Sequence, residues 1–303
     1  MKKLLSIVGT TGIGKTKLAI DLAKNLSTEI ISCDSRQFFK NMEIGTAAPS
    51  LEELAEAKHH FIGHLNVEDY YSIGQFEEDA LKKISELFQT HDTVIMVGGS
   101  MMYEKAILEG LHDLPEANSE NQNKLNELWE KEGYEALQKL IQELDPEYYS
   151  VVDKDNPRRL LRAIDVIWQT GEKYSSLISK PKPKRDFSVI RIGIQAPREI
   201  IYERINKRVE KMMENGLLDE VKALDKIRNS ATEILPSLNT VGYTELFKYL
   251  DGIWDLDFAV SEIQKNSRRF AKRQLTWYRG ESDINWVSYE NPFSDALQIL
   301  KTH

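Results

Sequence analysis

Leu4-Leu5-Ser6-Ile7-Val8-Gly9-Thr10-Thr11-Gly12-Ile13-Gly14-Lys15-Thr16 is the stretch that decides the fold. Its first five residues form a short, mostly apolar run, as in a strand covered on both faces within a parallel sheet. Its last eight fit G-x-x-x-x-G-K-[ST]. Residues 17–26 then repeat apolar side chains at helical spacing through Leu18, Leu22 and Leu26. A strand, a glycine-rich loop and a helix in that order make a phosphate cradle. The glycines permit positive φ and close ligand approach, and the exposed amides and helix N-terminus attract phosphate oxygens. Gly9, Thr10, Thr11, Gly12, Ile13, Gly14, Lys15 and Thr16 are therefore the candidate phosphate ligands. Lys15 adds a point charge, and the Thr16 hydroxyl can ligate Mg2+.

Outward from this loop, residues 29–33, 93–97 and 188–194 read as further strands. Residues 75–88 read as an amphipathic helix with Phe76, Ala80, Ile84 and Phe88 on one stripe. Strands alternating with helices imply a parallel α/β sheet. From 113 to 186 the pattern is helical throughout, over 122–132, 134–143 and 157–169. It ends at the proline-stiffened charged run Lys180-Pro181-Lys182-Pro183-Lys184-Arg185. Further helices follow at 198–215, 217–227 and 258–279. The expected organisation is an α/β core made of 1–112 and 187–303, interrupted by a helical insertion at 113–186.

Composition narrows the class. At 303 residues the chain can bury a substantial core, and 41% hydrophobic with 29% charged residues is ordinary for a globular enzyme. No apolar run approaches the roughly 20 residues of a membrane span, and the run after Lys3 is too short for a signal peptide. The lone Cys33 excludes an intrachain disulfide and a cysteine-based metal cluster, and fits a reducing cytoplasm. The net charge of −8 conceals two basic blocks. One contains Lys154, Arg158, Arg159, Arg162 and Lys173, continuing to Arg185. The other is Lys265, Arg268, Arg269, Lys272, Arg273 and Arg279. Local fields of that kind attract phosphates whatever the net charge.

Most phosphate-loop hydrolases and kinases carry an acid at the end of an apolar strand to hold magnesium. Here residues 93–97 end in Gly98-Gly99-Ser100, and the acid at a strand end close behind the loop is Asp34. A small-molecule kinase is the main rival reading of the loop, and this missing acid counts against it.

Asp34-Ser35-Arg36-Gln37, Ile44-Gly45-Thr46-Ala47, His59-His60 and Gly98-Gly99-Ser100 with Tyr103 occur in that order. They are followed by Asn156-Pro157-Arg158-Arg159-Leu160-Leu161-Arg162-Ala163, Arg204-Ile205-Asn206-Lys207-Arg208, Val241-Gly242-Tyr243 and Ala271-Lys272-Arg273-Gln274-Leu275-Thr276-Trp277. With the loop, this ordered set closely resembles the bacterial tRNA dimethylallyltransferases, also called tRNA isopentenyltransferases. The resemblance runs from Leu4 to about Trp286. It implies an α/β fold with a parallel-sheet core like that of the P-loop NTPases and a helical insertion that grips tRNA. The activity implied is transfer of a dimethylallyl group from dimethylallyl diphosphate to the exocyclic amine of the adenosine immediately 3′ of the anticodon.

By that resemblance Asp34 is the general base, taking a proton from a weakly nucleophilic amine. Lys15, Thr16, the loop amides, Mg2+ and Arg208 stabilise the departing diphosphate. The tRNA contacts implied are Asp34, Ser35, Arg36, Gln37, Ser100, Arg158, Arg159, Leu160, Leu161 and Arg162, with the Gln37 amide suited to an adenine edge. The expected partners are the tRNA anticodon stem-loop and dimethylallyl diphosphate, with no membrane and a monomeric chain. The loop permits ATP binding without requiring it. Thr10, Gly12 and Ile13 stand where the family usually has Pro, Ala and Ser, and Ile13 removes a hydroxyl near the phosphates. His59, His60 and His64 lack a third ligand at zinc spacing, Cys33 reads as a small buried residue, and Trp277, Tyr278 and Trp286 read as packing.

Overall fold

A computed structural model describes residues 2–302. The chain divides into two compact units, one made of the segments either side of an insertion and the other of Glu109–Lys184. The insertion thus spans four residues more at its start and two fewer at its end than the sequence pattern implied.

The first unit is built on one sheet of six parallel strands: β1 (Lys3–Gly9), β2 (Ile30–Ser32), β3 (His59–His60), β4 (Thr93–Val97), β5 (Ser188–Gln195) and β6 (Ile284–Ser288). Their order across the sheet is β3-β2-β4-β1-β5-β6. The phosphate-loop strand β1 is therefore internal, with Leu5 opposite Ile95 on one side and Ile190 on the other. Alternate residues of β1 supply opposite faces, as the two-residue period of a strand requires. Leu4 joins Val94, Met96, Phe76, Ala80 and Ile84 in one core, while Leu5 and Ile7 join Ile95, Leu18, Leu22 and Ile205 in the other. Both layers are apolar, which is why this strand reads as a run rather than as an alternation.

β3 and β6 were not anticipated. β3 is two residues long, too short to show a period. His59 and His60 form this strand: the His59 ring pairs with the Ala57 carbonyl, and His60 Nε2 lies 2.6 Å from Glu29 Oε2. Trp277, Tyr278 and Trp286 pack together with Val8 and Ile284, as expected of them.

A charged cluster is among the polar groups buried inside this unit. Arg191 of β5 bonds Glu104 at 3.2 Å and Asp283 at 2.8 Å, and Ser6 donates to Glu104 at 2.8 Å. Burial raises the Glu104 pKa even beside this arginine. Such a pair contributes little net stability when intact, but losing one partner strands a buried charge.

The insertion has a core of its own, with Leu125, Leu137, Ile141, Leu160, Ala163, Ile164 and Ile167 among the buried residues. Its helix Pro157–Thr170 starts at Asn156, whose side chain caps the Arg159 amide.

Candidate active site

In a parallel sheet, ligands bind beyond the carboxyl ends of the strands. Three neighbours in this sheet, β2, β4 and β1, end in Asp34, Gly98-Gly99 and the phosphate loop respectively. Adjacent strands lie about 4.8 Å apart, so roughly 10 Å separates the first end from the third. What stands between is glycine, and that absence of side chains is a packing requirement. A Cβ on Gly98 would lie 2.5 Å from the Cys33 carbonyl carbon, and one on Gly99 would lie 2.8 Å from Asp34 Oδ2. Strand β4 thus ends in a gap across which Asp34 faces the loop.

Thr11, Asp34 and Arg208 line one cavity of about 300 Å³, together with Gly45, Thr46 and Gly242. Its remaining wall includes Ile205, Val209, Met212, Ile263 and Phe270, and Arg273 stands among the lining residues. Polar groups at one part and apolar side chains at another suit a ligand with an anionic head and a short hydrocarbon.

The loop is held from several directions. Gly9, Gly12 and Gly14 have φ of 139°, 77° and 109°, which side chains rarely tolerate. Helix Arg198–Glu214 presents Arg204 and Arg208 one turn apart. Arg204 donates to the Ile13 carbonyl at 2.9 Å, and Arg208 donates to the Thr11 hydroxyl at 3.0 Å. The Lys15 ammonium donates to the carbonyls of Gly9 and Thr10 at 3.1 and 2.9 Å. Burial pushes the Lys15 pKa down to about 8. The Asp34 carboxylate opposes that shift and the Arg208 charge adds to it. Burial also lowers Arg208, again against Asp34. Asp34 is thus the counter-charge for both cations.

The expected phosphate ligands divide. Thr11 does not offer its amide to a ligand, because that N–H donates to Gln274 Oε1 at 2.8 Å. Ile13 turns its side chain into the core and its amide toward the Thr10 carbonyl. Thr10 is also buried.

The segment after β2 also differs from expectation in part. Asp34 Oδ1 accepts from the Arg36 amide at 3.2 Å, closing a local turn. The hydroxyls of Ser35 and Ser100 lie 2.9 Å apart, which brings those two together at the site. Gln37 is engaged within the protein: its amide nitrogen donates to the carbonyls of Thr46 and Ala47, and its oxygen accepts from the Ser32 hydroxyl. Arg36 reaches the carbonyls of Pro236, Ser237 and Asn239. Both residues brace the cavity wall.

Arg158, Arg159, Leu160, Leu161 and Arg162 belong to the insertion, the second unit. Arg158 and Arg159 are exposed. Leu160 is fully buried in that unit's core, so its side chain is unavailable to RNA. Leu161 is partly buried, and Arg162 is held by Asp165 and the Pro115 carbonyl.

Two residues that sequence reasoning did not assign roles support the site. Glu220 accepts from the amides of Ile44 and Gly45 at 2.8 and 2.9 Å and from the Tyr243 hydroxyl at 2.7 Å, fixing the wall that carries Gly45. Gln274 bridges the loop and the Gly99 carbonyl. Only the second lay within a quoted motif, and its partners are distant in sequence.

A phosphate loop at the end of an internal parallel strand, facing a carboxylate across a glycine gap, defines a P-loop-type α/β enzyme. The chain belongs to the IPP transferase family, whose model matches residues 37–281. It is 51% identical over 299 residues to a tRNA dimethylallyltransferase of Christiangramia forsetii, covering 99% of this chain and 97% of that one. Among solved structures, it is similar to a tRNA isopentenylpyrophosphate transferase of Bacillus halodurans, with TM-score 0.72, 31% identity and coverage of 100% and 96%. It also shares its fold with a eukaryotic dimethylallyltransferase acting on tRNA, with TM-score 0.82, 24% identity and coverage of 95% and 74%. Among the described residues no helix is long and apolar enough to cross a membrane.

Proposed function

We propose that this chain is a tRNA dimethylallyltransferase that takes its prenyl group from dimethylallyl diphosphate. The acceptor proposed is the exocyclic amine of the adenosine immediately 3′ of the anticodon, and diphosphate is released. The observation that carries the reading is the shared cavity: Asp34, Thr11 and Arg208 line it, with an apolar wall formed in part by Val209 and Met212.

In the reaction the amine nitrogen bonds to the allylic carbon, the carbon–oxygen bond breaks, and Asp34 takes the amine proton. Lys15, Arg208 and the amides of Gly12, Gly14 and Thr16 face the charge that gathers on the diphosphate. The target base must leave its stack to reach Asp34. Among the described residues no group of three His, Cys, Asp or Glu could hold a metal ion. That suits Mg2+ carried mainly by substrate phosphates. The Thr16 hydroxyl would hold it, and it would neutralise diphosphate charge. The compartment proposed is the cytoplasm.

Incubating the protein with isotope-labelled dimethylallyl diphosphate and unmodified tRNA tests the reading. Label should enter tRNA at that adenosine with equimolar diphosphate release. ATP turnover with unlabelled tRNA would instead favour a kinase.

Two narrower outcomes are expected. Above pH 8, free Lys15 loses its proton. Binding an anion then requires proton uptake, so affinity for diphosphate falls as pH rises, by up to about tenfold per unit. Calorimetric titration should show this fall relative to Lys15→Arg, which keeps its charge throughout. Arg159→Ala should weaken tRNA binding and reduce the salt slope by roughly one unit, while dimethylallyl diphosphate affinity is unchanged. Equal loss of both affinities would assign Arg159 another role.

A further inference from the structure

We propose that the buried amide of Gln274 is a positioning device that sets the separation between the leaving-group cradle and Asp34. This rests on the transferase reading above and adds a residue to it.

Gln274 lies on helix Leu256–Arg279 and is 0% exposed, an unusual place for a glutamine. Its Oε1 accepts from the Thr11 amide at 2.8 Å, and its Nε2 donates to the Gly99 carbonyl at 2.9 Å. One side chain thus ties the phosphate loop to the glycine segment that forms the gap between that loop and Asp34. The partners are one donor and one acceptor, so only a group that accepts at one end and donates at the other satisfies both. Thr11 is held a second time, through its hydroxyl, by Arg208. Gly99 is the residue whose missing side chain admits Asp34: a Cβ there would sit 2.8 Å from Asp34 Oδ2 and 3.4 Å from Gln274 Nε2. The glutamine therefore closes the back of the gap without entering the space the reactants need. A shift of about 1 Å in such an arrangement can cost on the order of 100-fold in rate.

The test compares Gln274→Met and Gln274→Glu with the parent in single-turnover prenylation of tRNA, alongside melting temperature and the KM of each substrate. Gln274→Met should lower kcat by roughly 30- to 100-fold while the KM for tRNA changes by less than about twofold. Glutamate offers a sharper readout. As a neutral acid it can accept from Thr11 and donate to Gly99, but as a carboxylate it cannot donate. Its activity relative to the parent should therefore rise as pH is lowered from 8 towards 6, whereas a residue that merely fills space would give a flat ratio. A folded Gln274→Met with kcat within about threefold of the parent overturns the proposal. Should that variant not fold, a flat glutamate ratio overturns it and a rising one supports it. A parent enzyme that places no label in tRNA overturns the reaction on which the proposal rests, whereas an active parent with unaffected variants overturns the positioning role alone.

Discussion

Asp34→Asn is expected to lower turnover by roughly 10²- to 10⁴-fold while tRNA and dimethylallyl diphosphate still bind. Asparagine preserves the shape of the side chain and an oxygen to accept from the Arg36 amide, so the turn after β2 survives. What disappears is the lone pair able to take an amine proton. The change also removes the counter-charge that steadies Lys15 and Arg208. Diphosphate affinity at pH 7 should therefore change little, since the loss of a competing anion is offset by a Lys15 that gives up its proton more readily without Asp34. Rapid-quench measurement of label transfer, with binding measured separately, distinguishes lost chemistry from lost binding. Turnover within threefold of the parent would remove Asp34 from the role of base.

Arg208→Met should lower kcat by about 10²- to 10³-fold, the scale seen when one fixed donor to a developing charge is lost. The side chain lines the cavity from helix Arg198–Glu214 and donates to the Thr11 hydroxyl. Methionine retains volume and apolar reach while deleting the charge. Arg208→Lys should fall between the two, because an ammonium restores charge without the planar fork. Loss confined to KM would show that Arg208 binds diphosphate equally in ground and transition states. A parental kcat would exclude it from leaving-group stabilisation.

Much of this is legible in the amino-acid sequence alone. β1, the loop and the following helix were read almost to the residue, because an apolar run, three glycines and a lysine leave few alternatives. β3 and β6 were missed because a two-residue edge strand has no period and Ile284–Ser288 interrupts its apolar residues with Asn285 and ends on Ser288. Leu160 falls in the segment 158–162, which the resemblance treats as one contact surface. Helical spacing with Ile164 and Ile167 already turned it inward. Gln37 was assigned by what its amide can do, without knowing that the Thr46 and Ala47 carbonyls already occupy it. Gln274 could not be placed at all, since its two partners lie 263 and 175 positions away. Local pattern supplies strands and loops, but pairings of that separation exist only once the sheet orders them.

The strand order carries a consequence for biosynthesis. β1 pairs with β4 on one side, but its other neighbour, β5, leaves the ribosome only after residues 98–187 have been made. At about 5–20 residues per second, that interval lasts roughly 5–20 s. During it, the nascent chain holds a bare apolar edge, open to pairing with other chains. Ribosome-stalled chains ending near residue 180 should therefore be far more protease-sensitive and more dependent on chaperones than chains ending near 230, and equal sensitivity would show that the edge is shielded in some other way.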